Sequence, residues 1–235
     1  MHKKPQKLVA EFLGTFALVF FGVGAIIADQ FLRSNANGHG AYGWLGIALA
    51  QGLAMGILVT SLGHISGGHF NPAITIGFWV TRKFSTFDTL AYWIVQLAGA
   101  IAAAYVLRRL PFDAWSSVQL GAPDLASGVT RTTGMIFEAL MTFFLVFVFF
   151  ATAVDKDGAF HKIAGFAIGL TVTIGVLLGG PFTGAALNPA RAFGPALAAN
   201  QWTNHGVYWI GPLAGGVVAG WVYDTIFLPK KSLSD

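Results

Sequence analysis

The sequence predicts an all-α membrane protein: six transmembrane helices plus two re-entrant half-helices, arranged as an inverted repeat. Three observations carry this. First, the 235-residue chain is 55% apolar and only 10% charged, where a soluble domain carries about a quarter charged residues. Second, the triplet Asn-Pro-Ala occurs twice, at Asn71-Pro72-Ala73 and Asn188-Pro189-Ala190, each inside a nearly uncharged stretch. Third, the two halves of the chain echo one another around these triplets.

The charge-free runs are Phe12–Ala28, Ser34–Thr81, Thr89–Leu107, Ala139–Val154, Ile163–Ala190 and Ala192–Tyr223. A spanning helix needs about 20 apolar residues, so these runs hold six spans, with surplus where the triplets fall. A very hydrophobic soluble core is excluded, because water-facing helices require a polar stripe. The spans are expected at 8–28, 41–62, 87–108, 133–154, 161–180 and 206–228. Leu8–Ala28, preceded by three lysines, has the outline of a signal peptide; no clean cleavage site follows, and it has a counterpart in the second half, so it is expected to remain in the mature chain.

Each triplet starts a helix. Asn is a strong N-cap and Pro suits the first helical position. Half-helices are expected at 71–81 and 188–199. A helix that begins at mid-membrane has orphan N–H groups and a positive dipole end, which only a polar cavity satisfies. Two such starts imply half-helices meeting around a pore.

The internal echo is detailed. Glu11-Phe-Leu-Gly-Thr15 parallels Glu138-Ala-Leu-Met-Thr142, and Tyr92-Trp93 through Gly99 parallels Tyr208-Trp209 through Gly215. Gly52 and Gly169 each lie 19 residues before their triplet's Asn, and Gly77 and Gly194 each follow it by six. Three spans per half is an odd number, so the halves insert in opposite orientations, as in many transport proteins. The halves run over about 1–113 and 131–235, joined by a polar loop containing Pro111, Gly121 and Pro123. They are expected to share one core as a single channel domain, 1–235. Gly pairs at four-residue spacing (52/56, 165/169, 211/215 and 216/220) mark close helix crossings.

With the N-terminus inside, nine of the 14 Lys/Arg face that side: Lys3, Lys4, Lys7, Arg82, Lys83, Lys156, Lys162, Lys230 and Lys231. Arg33, Arg108, Arg109 and Arg131 lie outside, and Arg191 remains within the membrane. This bias puts both termini in the cytoplasm; the expected location is a bacterial-type inner membrane. The net charge of +4 follows membrane side and implies no nucleic-acid partner. Without cysteine there is no disulfide framework or thiolate site.

The segment His64-Ile-Ser-Gly-Gly-His69-Phe-Asn71-Pro72-Ala73, with the second triplet followed by Arg191, resembles the signature of the major intrinsic proteins, the aquaporin and aquaglyceroporin family. The resemblance covers essentially the whole chain. It implies the aquaporin-like fold, a homotetramer in the lipid bilayer with one pore per subunit, no cofactor and no metal. Asn71 and Asn188 would direct amide N–H groups at the pore, opposite a carbonyl ladder from Gly67, Gly68, His69 and Phe70 and from Gly184, Ala185 and Ala186. Glu11 and Glu138, buried in apolar helices, would brace the re-entrant loops. Arg191 would form one wall of the outer constriction, repelling cations. By distance from the triplets, the other filter positions are Gln51, Val176 and Ala185.

This filter departs from familiar patterns. Water-specific relatives carry His where Val176 stands and usually an aromatic residue or His where Gln51 stands. Glycerol-type filters carry aromatic rings and commonly Asp after the arginine, where this chain has Ala192. The Val–Ala–Arg trio resembles plant nodulin-26-like channels and bacterial relatives that pass metalloid hydroxides. The implied function is a passive channel for water and small uncharged solutes, including arsenite and glycerol- or urea-sized molecules, excluding protons and ions. A strictly water-selective pore and a coupled secondary transporter stand as alternatives; the latter requires ion-coordinating acids that are absent apart from Glu11 and Glu138. An adhesive junction protein of the same fold is barely addressed by the sequence. No nucleophile–base–acid set marks an enzyme. His64 and His69 are read as loop residues that pack and hydrogen-bond rather than as a metal pair. His161, after Asp155-Lys-Asp157, is a candidate gate at the inner mouth, against the plainer reading of a solvated loop. Tyr92, Trp93, Tyr208, Trp209 and Trp202 are read as packing or interfacial anchors.

Overall fold

The computed structural model describes residues 2–35, 39–110, 113–156 and 163–229. Pro111, Asp157, His161, Lys162, Lys230 and Lys231 lie outside the described residues, so the gating role expected of His161 does too. The first repeat comprises α1 (Lys4–Asn35), α2 (Gly43–Ser66), the half-helix α3 (Pro72–Val80) and α4 (Thr86–Arg109). A short helix α5 (Ala114–Ser117) and a 3-10 turn (Gln119–Gly121) occupy the connection between repeats. The second repeat repeats the pattern with α6 (Arg131–Phe149), α7 (Ala164–Thr183), the half-helix α8 (Pro189–Ala199) and α9 (Val207–Val222). Helices α6 and α9 each continue into a π-helical turn, Phe150–Val154 and Tyr223–Phe227. Six helices are long and apolar enough to cross a membrane, and there is no strand among the described residues.

The ends of these helices follow local chemistry. Ser85 caps α4 by accepting from Asp88 N at 3.0 Å, and Thr130 caps α6 by accepting from Thr133 N at 3.1 Å. Helix α2 runs a turn further than the hydropathy suggested, through His64 and Ser66, and stops where Gly67 turns left-handed (φ 98°) with its N–H on Gly63 O. His64 is therefore helical, not a loop residue. Gly184 (φ 77°) ends α7 in the same way.

Helices α1 and α4, and α6 and α9, pair within each repeat, while α2 and α7 form the seam between repeats. The half-helices cross over: α3 packs on α9 and α8 packs on α4. All four glycine pairs lie at these crossings. A Cβ on Gly56 would stand 2.9 Å from Gly165 O, and one on Gly169 would stand 2.9 Å from Gly56 Cα and strike Gly52 O. A Cβ on Gly211 would lie 2.8 Å from Met135 O, and one on Gly220 would lie 2.8 Å from Gly77 O. Glycine lets these backbones approach in lipid, where apolar surface itself supplies no drive to associate. The largest buried cluster draws on both repeats, from Met55 and Ile74 to Val146 and Ile168. Outward, residues such as Leu13, Ile57, Phe87, Ile94, Phe144, Ile174 and Trp221 are exposed, an apolar belt suited to acyl chains rather than water.

Gly169→Leu is expected to abolish assembly of the α2–α7 seam, because the added side chain meets partner backbone that cannot rotate away. Gly206→Ala, where nothing lies within 4 Å, should behave as wild type. Size-exclusion profiles of detergent-extracted protein check this; a monodisperse Gly169→Leu peak at wild-type yield would refute the tight seam.

Candidate functional site

The two Asn-Pro-Ala triplets start α3 and α8 as expected. Asn71 and Asn188 are extended (φ −157° and −150°), and each side-chain oxygen accepts from its own helix start. Asn71 Oδ1 accepts from Ala73 N at 2.8 Å; Asn188 Oδ1 accepts from Ala190 N at 2.9 Å and Arg191 N at 3.3 Å. The other end of each amide crosses to the opposite repeat. Asn71 Nδ2 donates to Leu187 O and Asn188 Nδ2 donates to Phe70 O, both at 2.9 Å. An amide NH2 carries two protons, so each Asn keeps one.

Both amides border a narrow cavity of about 20 Å³, room for about one water. Its polar lining is Gln51, Asn71, Asn188 and Arg191; Met55, Leu145 and Val172 supply much of the apolar side. A solute there meets donors on one side and hydrocarbon on the other. The positive ends of two helix dipoles point at the same place.

Irregular backbone leads into each half-helix. Gly67, Gly68 and Phe70 (φ 98°, 70° and 47°) and Gly184, Ala185 and Leu187 (φ 77°, 46° and 52°) are left-handed. For Phe70, Ala185 and Leu187 this is strained backbone, costing about 1–3 kcal/mol each, and it must be held. Glu11 holds the first loop: its carboxylate accepts from His69 N (3.0 Å), Phe70 N (2.7 Å), Ser66 Oγ (2.7 Å) and Gln96 Nε2 (2.8 Å). Glu138 holds the second, accepting from Ala186 N (3.0 Å), Leu187 N (2.8 Å) and Thr183 Oγ1 (2.7 Å). No described group donates to the carbonyl oxygens of Gly67, Gly68, His69, Gly184, Ala185 or Ala186.

Arg191 is 4% exposed, donates from Nη1 to Gly121 O at 2.8 Å, and has no partner at Nε. Gln51, 5% exposed, likewise has no partner at Nε2. Both orphaned donors belong to residues on the cavity wall, where a passing solute would satisfy them. Val176 and Ala185 are wholly buried and are not among the cavity's lining residues. Val176 lies one helical turn beyond lining Val172, and Ala185 is the neighbour of lining Ala186. The structure thus brings Gln51 and Arg191 onto one cavity and encloses the other two beside it.

Several residues were missed by sequence reasoning. Gly121 carries in sequence only the marks of a connecting loop, yet the left-handed run Gln119, Leu120 and Gly121 (φ 47°, 53° and 64°) turns its carbonyl onto Arg191. Tyr92 and Tyr208 pack in the interior, the first of the two roles expected of them, but the partners of their hydroxyls were not foreseen: they donate to Ser66 O and Thr183 O, each at 2.8 Å. Their recurrence at one repeat position was the available signal. His69 is buried beside Thr75 Oγ1 (3.1 Å) and tilted against Phe78 at 4.3 Å between centroids, a packing role as expected.

Comparison with known proteins agrees with this geometry. The family model described as Major intrinsic protein matches residues 2–223. Probable aquaporin TIP3-2 of Arabidopsis thaliana is 41% identical over 229 residues, covering 94% of this chain and 84% of that protein. Nodulin-26 of Glycine max is 40% identical over 234 residues, covering 98% and 81%. Among solved structures, the aquaglyceroporin from Plasmodium falciparum superposes with a TM-score of 0.82 at 25% identity, covering 95% of this chain and 97% of that one. These relatives lend no support to the bacterial-type inner membrane expected above, since the curated ones are plant proteins. With six membrane-length helices, paired half-helix tips and a match over nearly its whole length, the chain belongs to the major intrinsic protein family, as an integral membrane channel and not an enzyme.

Proposed function

We propose that this chain is a passive pore for water and small uncharged solutes that excludes protons and ions. The observation that carries the reading is the pair of Asn71 and Asn188 amides on a cavity with room for about one water. A water whose oxygen faces two donors cannot also serve as a link in a donor chain for proton hopping, and the dipole ends repel cations. The unpartnered loop carbonyls from Gly67 to His69 and from Gly184 to Ala186 fit a ladder along which solutes exchange hydrogen bonds. The chain acts as one channel domain, with both termini on the cytoplasmic side and four copies forming the working assembly.

The solute range includes metalloid hydroxides and glycerol- or urea-sized molecules. Val176 and Ala185 place no ring beside the cavity, and Gln51 faces it with a free donor. Arsenite near neutral pH is mostly an uncharged trihydroxide, which exchanges solvent hydrogen bonds for those of Gln51 and Arg191 without burying a charge. The cavity's small volume favours a second reading, a strictly water-selective pore. Stopped-flow measurement of water, glycerol, urea and arsenite flux in reconstituted vesicles separates the two; wild type passing water alone would establish the second.

Asn71→Asp and Asn188→Asp should each cut water flux about tenfold, since the lost donor bond is worth about 1–1.5 kcal/mol and a carboxylate opposes neither cation nor proton. Asn35→Asp, on an exposed helix end, should not. Unchanged flux and cation exclusion in both triplet variants would remove the assignment. Arg191→Val should raise proton or ammonium leak into vesicles carrying a pH dye, because fixed positive charge and volume are both lost. Equal leak at matched insertion would take Arg191 out of the constriction. The double variant Val176→His with Gln51→Phe should suppress glycerol, urea and arsenite flux while leaving water flux within about twofold; retained solute flux would show that these positions do not set the filter.

A further inference from the structure

We propose that His2 and His64 form a binding site for a divalent transition-metal cation of the zinc and copper class at the rim of the inner vestibule, and that the bound ion restricts flux. His64, in the last turn of α2, lines a cavity of about 330 Å³ together with Gly63, Gly67, Val59 and Phe149, the last two standing one helical turn from Met55 and Leu145 of the water-sized cavity. His2 lies just ahead of α1, and its ring meets the His64 ring edge-to-face, with centroids 5.8 Å apart and planes at 69°. Both residues are exposed.

The spacing suits a shared ion. A metal–nitrogen bond of about 2.0–2.1 Å, with the ring centre about 1.1 Å behind the nitrogen, puts the ion about 3.2 Å from each centroid. The centroids then lie about 5.2 Å apart at a tetrahedral angle and about 6.4 Å apart at a linear one. The observed 5.8 Å falls inside that window, so the separation of the two exposed rings suits one shared ion. His69 does not compete, being buried against Thr75. Lys3 and Lys7 lie near His2 in sequence, and Lys4 is engaged by Asp88 at 2.6 Å. Affinity therefore comes from imidazole nitrogen rather than from charge, which selects zinc, nickel and copper over magnesium and calcium. An ion held there ties the segment ahead of α1 to the end of α2 and sets positive charge at the vestibule rim.

The restriction of flux rests on the channel reading; the binding does not. The test uses full-length protein without an oligohistidine tag. Zinc at micromolar concentration on both faces of reconstituted vesicles should lower water flux about twofold or more, and magnesium should not. His2→Ala and His64→Ala should leave metal-free flux unchanged. Each should raise the half-inhibiting zinc concentration about tenfold or more, since even lost outer-shell support costs a metal 10–100-fold in affinity. Electron paramagnetic resonance of added copper(II) should show coordination by nitrogens of both rings, lost in either variant. Inhibition retained in both variants, or a two-nitrogen copper signal retained in His64→Ala, overturns the site. A two-nitrogen signal with unaltered flux overturns the restricting role. Absent flux in metal-free wild type, with the copper signal intact, counts against the channel reading and leaves the site supported.

Discussion

A backbone that leaves helical geometry halfway across a membrane exposes N–H groups that neither lipid nor the already paired backbone of a neighbouring helix can satisfy. Here that constraint is met twice by one buried carboxylate. Glu11 collects the N–H groups of His69 and Phe70, and Glu138 collects those of Ala186 and Leu187. Everything at the pore follows from these braces. They hold strained left-handed residues in place, which aims Phe70 O and Leu187 O at the opposing asparagines. Those contacts set the half-helix tips against each other, and the tips define the cavity. Tyr92 and Tyr208 secure the starts of the same loops by donating to Ser66 O and Thr183 O.

The repeat is faithful in its frame and unequal in its chemistry. Gln96, a fourth donor to Glu11, corresponds to Pro212 in the second half, and Thr75, bonded to His69, corresponds to Ala192. Arg191 corresponds to Ile74, which is buried in the core. The first half closes its loop with aromatic and polar packing around His69, Phe78 and Tyr92. The second half forgoes that packing and carries the charged group. Symmetry supplies the meeting of the tips, and its local failure supplies a pore whose two ends differ.

The helices, the half-helices and the paired acids were legible because each leaves a local mark: an uncharged run, an Asn-Pro start, or a carboxylate in an apolar helix. The glycine pairs were legible for the same reason, through their spacing. What escaped depends on residues distant in sequence. The carbonyl that receives Arg191 comes from Gly121, seventy residues earlier, placed by a left-handed turn with no strong sequence signature. Counting from the triplets brings Gln51 to the cavity beside Arg191, but Val176 and Ala185 lie enclosed next to it, because side-chain direction within a tight crossing depends on every neighbour. Proximity along the chain pairs His64 with His69, whereas in space its ring meets that of His2.

The exchange of half-helices between repeats also constrains how the protein is made. Helix α3 rests on α9, which is synthesised about 130 residues after it, with Gly77 and Gly220 in close backbone approach. Helix α8 rests on α4, already synthesised, where Gly194 meets Ala100 and Arg108 caps Ala198 O at 2.7 Å. The later re-entrant segment therefore finds its seat waiting, while the earlier one has none until α9 has been made. The nascent first half carries an unseated polar hairpin in the bilayer throughout that interval, and the order of synthesis, not only the final packing, falls within what this sequence must survive.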